Sequence, residues 1–157
     1  NSLSILSIEK DNLTLNDVYF ITDNETEHLK DLRNFKEKDL INQMYINKFI
    51  FDPNTSPNDI LKKKDIAFFL LKIVSIVDKD PSLIIKYSKN LNTTNVMKSK
   101  ETDDLSPIPD IKTSEYFYTA ALVLVEREIL ELPDGINFFP DDYINGLDFY
   151  LALKKCK

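Results

Sequence analysis

Lys62 to Val77 reads K-K-K-D-I-A-F-F-L-L-K-I-V-S-I-V. Within it Ile66, Phe69, Leu70, Ile73 and Val77 recur at i, i+3, i+4, i+7 and i+11, which puts them on one stripe of a helix of 3.6 residues per turn. The spacing predicts a helix with that stripe buried. Asp80-Pro81 should end it and open another, because Asp caps well and Pro is tolerated at a first helical position.

On the N-terminal side, F-D-P-N-T-S-P-N-D from Phe51 to Asp59 is dense in residues that fix φ or bond their own backbone, so a structured loop is expected there. Before it, Leu29, Leu32 and Phe35 read as one helical face, and Asp39 as the cap of a short helix carrying Leu40, Ile41 and Met44. The stretch from Leu3 to Phe20 has no clean period and reads as an N-terminal arm with one short helix or strand. On the C-terminal side, Asn90 to Pro109 is polar and predicts a mobile linker. Ser114 should cap a largely buried helix running to about Leu130, which Pro133-Asp134-Gly135 stops. Asn145 should open a last helix with Leu147, Tyr150 and Leu151 on one face.

A 157-residue chain that is 43% hydrophobic and 29% charged has material for a real core, in one domain or in two small ones sharing it. Its net charge of -6 repels phosphate backbones and sets nucleic acid aside as a partner. No apolar run reaches the roughly 20 residues that span a bilayer. Asn1 to Lys10 lacks the basic and apolar regions of an export signal. A start at Asn1 points to a trimmed or processed chain and leaves an extracytoplasmic address open.

The same order of features occurs twice: a D-V or D-I step, a helix, a Phe/Pro/Asp loop, and a second helix opening on an acidic then an apolar residue. The second copy, Pro109 to Leu153, carries Asp110-Ile111, Ile129-Leu130, the Asp134-Gly135 turn, Phe139-Pro140-Asp141 and Ile144-Asn145-Gly146-Leu147-Asp148-Phe149. These residues closely resemble an S-layer homology (SLH) repeat. The first copy, from Asp17-Val18 through Phe51-Asp52-Pro53-Asn54 to Asp65-Ile66-Ala67, is similar but has an interrupted first helix. The resemblance implies an all-α protein of two helix-loop-helix repeats around a shared core. It divides the chain into arm and first repeat (1–90), linker (91–108) and second repeat (109–157). It also implies non-covalent attachment to cell-wall polymers or envelope partners. The Ile, Asn and Lys content suits an AT-rich genome and suggests a spirochaetal envelope protein, with a wall-binding LysM domain outside this region.

Polymer-binding members of that family open the second helix with T-R-A-E, whose arginine meets an anionic glycan. Here the four positions are Lys62-Lys63-Lys64-Asp65 and Asn145-Gly146-Leu147-Asp148. Lys63 keeps a cation at the arginine place without its bidentate fork, and the second copy has none. Lys62, Lys63 and Lys64 at a helix start would each cost roughly 0.3 to 1 kcal/mol against the macrodipole. They are therefore a candidate anion site, the plainer alternative being a solvated charge run.

The aromatics of the second copy outnumber what a two-helix core can hide, so Tyr116, Tyr118, Phe138 and Tyr143 are candidate partner-binding residues. Pro57 and Lys63 occupy the positions where a calcium loop starting at Asp52 would need Gly and Glu. Asp141, Asp142 and Asp148 read as turn and cap residues. His28 is the lone histidine, among glutamates, and Cys156 the lone cysteine; no catalytic, metal or cofactor constellation emerges. The sequence thus points to a non-enzymatic envelope domain in the periplasm or cell envelope, binding another protein. The alternative is an anionic wall polymer at Lys62 to Lys64, and a carboxylate-dependent hydrolase comes third.

Overall fold

A computed structural model of the chain describes residues 7–85 and 106–156. These residues are all-α, with five helices: α1 (Leu15–Glu25), α2 (Glu37–Ile46), α3 (Lys63–Val77), α4 (Tyr118–Glu126) and α5 (Gly146–Lys155). Two short 3-10 turns, Lys30–Leu32 and Pro81–Ile85, precede α2 and follow α3. Among the described residues β-structure is limited to two isolated bridges, Thr14 with Ile60 and Lys62 with Tyr143.

The starts of α1, α3 and α5 determine the architecture. The first amides of a helix have no partner within it and must find one elsewhere. In α1 the Asn16 amide donates to the Pro57 carbonyl (3.0 Å), in the loop that leads into α3. In α3 the Lys63 and Lys64 amides donate to the Asp142 and Pro140 carbonyls (2.7 and 3.0 Å), in the loop that leads into α5. In α5 the Gly146 amide donates to the Lys10 carbonyl (2.8 Å), in the segment that leads into α1. These four bonds close a ring in which each helix start is held by the approach to the next.

Each start has aspartate at its third helical position, Asp17, Asp65 and Asp148, followed by a fully buried apolar residue, Val18, Ile66 and Phe149. These point into a single core that draws on both halves of the chain. Phe69 lies near its centre, 5.5 Å from the Phe49 ring and 6.2 Å from that of Phe149. Helix α3 packs on α4, and α1 on α5.

The helix over Ile66 to Val77 forms as its spacing predicts, and Asp80 accepts a bond from the Ser82 amide where the chain turns at Pro81. Four expectations need correction. The arm contains an 11-residue helix, α1, fixed by a capping box between Thr14 and Asp17. Asp17-Val18 is therefore the counterpart of Asp65-Ile66, not of Asp110-Ile111. That second pair is matched by Asp31-Leu32. The Leu32 and Ile111 amides both bond back to a buried residue three positions earlier, Leu29 (2.9 Å) and Ile108 (3.1 Å). Leu29 to Phe35 holds only a 3-10 turn, and Asp39 lies in the first turn of α2 rather than at its cap, which is Lys36.

The fourth correction concerns α4, which starts at Tyr118 instead of near Ser114 and stops at Glu126, short of Leu130. It stops in the same way as α2 and α3. A residue in the left-handed region, Lys48, Lys79 or Glu128 (φ 68, 55 and 60°), lets the following amide bond back to Met44, Ser75 or Leu124. All three ends are Schellman closures built on a charged residue where glycine is usual, so no glycine marked them in the sequence. Of the expected linker, residues 91–105 lie outside the described residues, and Ile108 at its end is buried in the core.

Candidate binding surface

The three lysines separate into two roles. Lys63 is 7% exposed. Its ammonium donates to the carbonyls of Phe138 (2.7 Å) and Glu131 (3.2 Å) and sits 4.3 Å from the centroid of the Phe138 ring. Burial lowers its pKa, and the charges of Asp142 and Asp110 act against that shift. Lys63 thus fastens the 131–144 loop to the start of α3. Lys62 and Lys64 reach outward and share one carboxylate oxygen of Asp141, at 3.6 and 3.0 Å. The Lys64 hydrogen bond is the main cause that holds the Asp141 carboxyl below its usual range, helped by the charges of both lysines.

An anion cradle at this helix start would need free amides and a free central ammonium. The amides of Lys63 and Lys64 and the ammonium of Lys63 are all bonded to carbonyls of the 131–144 loop.

The four aromatic candidates also separate. Phe138 is fully buried and Tyr118 nearly so, both within the core, so neither offers a surface to a partner. Phe138 is drawn in because its amide donates to Asp110 (2.9 Å) while its ring and carbonyl receive Lys63. Tyr143 is 53% exposed, on the bridge to Lys62. Tyr116 is half-buried, with its hydroxyl donating to Asp65 Oδ1 (2.6 Å). Burial first, then that bond, and then the charges of Asp65, Glu115 and Asp141 push its pKa far above the usual phenol value, so it stays a neutral donor.

Tyr116 leads to a surface that periodicity does not reveal. Its ring stacks on Phe51 at 4.1 Å and 12°, and both meet Phe68 edge-on at 6.0 Å. This cluster lies against an open groove of about 1130 Å³, formed where the end of α2, the 51–61 loop, the Pro81–Ile85 turn and residues 113–116 converge. A shallower groove of about 570 Å³, along α2, shares Tyr45 and Pro53 with it. Of the eleven large hydrophobic residues exposed among the described residues, six line these two grooves: Phe35, Tyr45, Ile46, Phe51, Ile60 and Ile85. The signal in the sequence was an aromatic at the head of a turn-rich loop, Phe51, where no helical face could bury it.

The 51–61 loop holds its shape through its own side chains: Asp52 accepts from the Asn54 amide (2.8 Å) and Asp59 from the Ser56 amide (2.9 Å). Asn145 accepts from the Asp148 amide (2.7 Å) as a helix cap. Among the described residues no group of three or more His, Cys, Asp or Glu is arranged to hold a metal ion. Cys156 is buried, and burial pushes its thiol up to about 12, far from a reactive thiolate at neutral pH. His28 is partly buried, its amide on the Thr26 hydroxyl (3.3 Å). Among the described residues no helix is long and apolar enough to cross a membrane.

Comparison with protein-family models, with curated proteins and with solved structures gave no match.

Proposed function

We propose that this chain is a non-enzymatic interaction domain of a bacterial cell envelope that binds a protein partner through the groove over Phe51 and Tyr116. The observation that carries the reading is the gathering of six exposed large hydrophobics on two adjoining grooves. Apolar surface of that extent, rimmed by polar residues, marks interaction sites in proteins whose core is otherwise closed. The resemblance of Pro109 to Leu153 to an SLH repeat supplies the envelope setting. The rival ligand, an anionic wall polymer, is disfavoured because Lys63 is spent inside the fold and Lys62 and Lys64 share Asp141.

The test is co-sedimentation with protein-free cell-wall sacculi, run beside photocrosslinking in an envelope extract from a photoreactive residue placed at Ile85. The expected result is no pelleting and one discrete protein adduct that disappears in Phe51→Ser. Pelleting that is lost in the Lys62→Ala, Lys64→Ala double variant would instead establish polymer binding.

A further inference from the structure

The charge on the groove is as uneven as its polarity. Asp52, Asp59, Asp65 and Glu115 line the larger groove and Asp39 the shallower one, against one cation among the described residues, Lys48. Among the described residues none of these five carboxylates is within ion-pair distance of a lysine or arginine. Elsewhere Asp17, Asp23, Glu25, Asp78 and Asp141 each have such a partner, while others such as Asp31, Asp134 and Asp148 have none among the described residues, so what sets the groove apart is five carboxylates gathered around an apolar floor. Asp52 and Asp59 are exposed and each accepts a bond from one backbone amide, and Asp65 accepts the Tyr116 hydroxyl. The aromatic and aliphatic floor is thus bordered by carboxylates whose counter-charge is missing from the described residues.

From this we infer that the groove takes a peptide segment of its partner in which lysine or arginine side chains flank apolar ones. The apolar residues lie over Phe51, Ile60 and Ile85, and the cations reach Asp52, Asp59 and Glu115. The inference rests on the protein-binding reading above and adds the chemistry of the partner. An acidic segment would be repelled by the rim. A purely apolar one would leave the carboxylates partly desolvated without partners, the arrangement that most weakens an interface. The two grooves share Tyr45 and Pro53, so the floor runs on along α2 and suits a length of chain better than a small compact ligand.

The experiment selects peptides against the whole chain from a randomised display library and measures the leading synthetic peptide by fluorescence anisotropy at several salt concentrations. Three variants accompany the wild type. One is the triple variant Asp52→Asn, Asp59→Asn, Glu115→Gln, in which the two asparagines keep the backbone bonds. The others are Ile85→Ser and a control, Leu147→Ser with Leu151→Ser, on the exposed face of α5. Selected sequences should be enriched in lysine or arginine beside aromatic or aliphatic residues, and binding should weaken as salt rises.

The triple variant should lose about tenfold in affinity and Ile85→Ser at least as much, with the control within about twofold of wild type. Binders that are acidic or neutral, or that ignore the triple variant while failing on Ile85→Ser, overturn the charge inference and leave the protein-binding groove standing. Binders indifferent to every groove variant, or none at all, overturn both.

Discussion

The starts of α3 and α5 occupy the same place in the ring of helix N-termini, yet they fill the position after the cap in opposite ways. At α3 that position is Lys63, whose long side chain runs inward and spends its ammonium on two loop carbonyls. At α5 it is Gly146, over which the chain at Ser7 and Ile8 passes so closely that a Cβ would stand 2.2 Å from the Ser7 carbonyl oxygen and 2.5 Å from that of Ile8. Helix α1 gives a third solution, the buried Leu15. A long cation, an aliphatic and no side chain at all can share this position only because it faces the interior. Its occupant is chosen by the loop packed over it, and the residue type there reports packing before it reports a ligand.

Gly146→Ala should break that comparison with the largest effect. The clash is with the backbone of Ser7 and Ile8 and cannot be relieved by rotating a side chain, so the ring must open where the Gly146 amide meets Lys10. A loss of about 3 kcal/mol is expected, as for overpacking at a rigid site, read as a drop in denaturant midpoint. An unchanged midpoint would mean that the N-terminal segment is not held there. Lys63→Met comes next. It keeps the apolar stem but leaves the Phe138 and Glu131 carbonyls without their donor, at about 1 to 2 kcal/mol. It also removes the cost of burying a charge, so Lys63→Ala, which forfeits the stem as well, should be worse than Lys63→Met. If the two were equal, the stem would contribute nothing.

The contrast also shows how far this fold could be read from sequence. The stripe from Ile66 to Val77 is a strong local signal because its apolar residues repeat at the helical period, even though α3 also buries Ala67, Phe68 and Leu71 off that stripe, and the turn chemistry of Phe51 to Asp59 is local as well. The ring itself is not local, since its bonds join residues 41 to 136 positions apart and involve backbone atoms that any residue supplies. One part was nonetheless legible. The pattern of a cap, two variable residues, Asp and then an apolar residue occurs three times, at Thr14, Lys62 and Asn145, and the first stands out least because α1 is only weakly amphipathic. The site was less legible than the fold. Lysine clusters and aromatic-rich stretches attract attention, but whether Lys63 or Phe138 faces water is decided by a loop that crosses from the other half of the chain.

Asp17 offers a smaller test, at the start of α1. Burial alone would raise its carboxyl, but the Lys10 ammonium, the Thr14 amide and hydroxyl and the Ser7 hydroxyl outweigh that and hold it below the usual carboxylate range. A carboxyl depressed on folding contributes stability above its unfolded value that is lost as pH falls through the folded one. Wild type should therefore exceed Asp17→Asn in stability at neutral pH, and the gap should narrow as pH drops below about 3.8, followed by urea unfolding at each pH. A gap that persisted unchanged into acid would assign the effect to hydrogen bonds that asparagine cannot make, and not to charge.

The smallest expected effect distinguishes Lys63 from its own neighbours. Lys62 and Lys64 share one exposed carboxylate, an arrangement worth between nothing and about 1 kcal/mol. They also stand at a helix start, where the macrodipole opposes cations by a comparable amount. The two terms have opposite signs, so Lys62→Ala with Lys64→Ala should shift stability by less than about 0.5 kcal/mol in either direction. Because the double variant stays folded, loss of sacculus binding in it would report on ligand contact alone, whereas loss in any Lys63 variant would be confounded by the loosened 131–144 loop. A destabilisation as large as that of Lys63→Met would mean that the Asp141 pairs are part of what holds this loop down, and the division between inward and outward lysines would no longer stand.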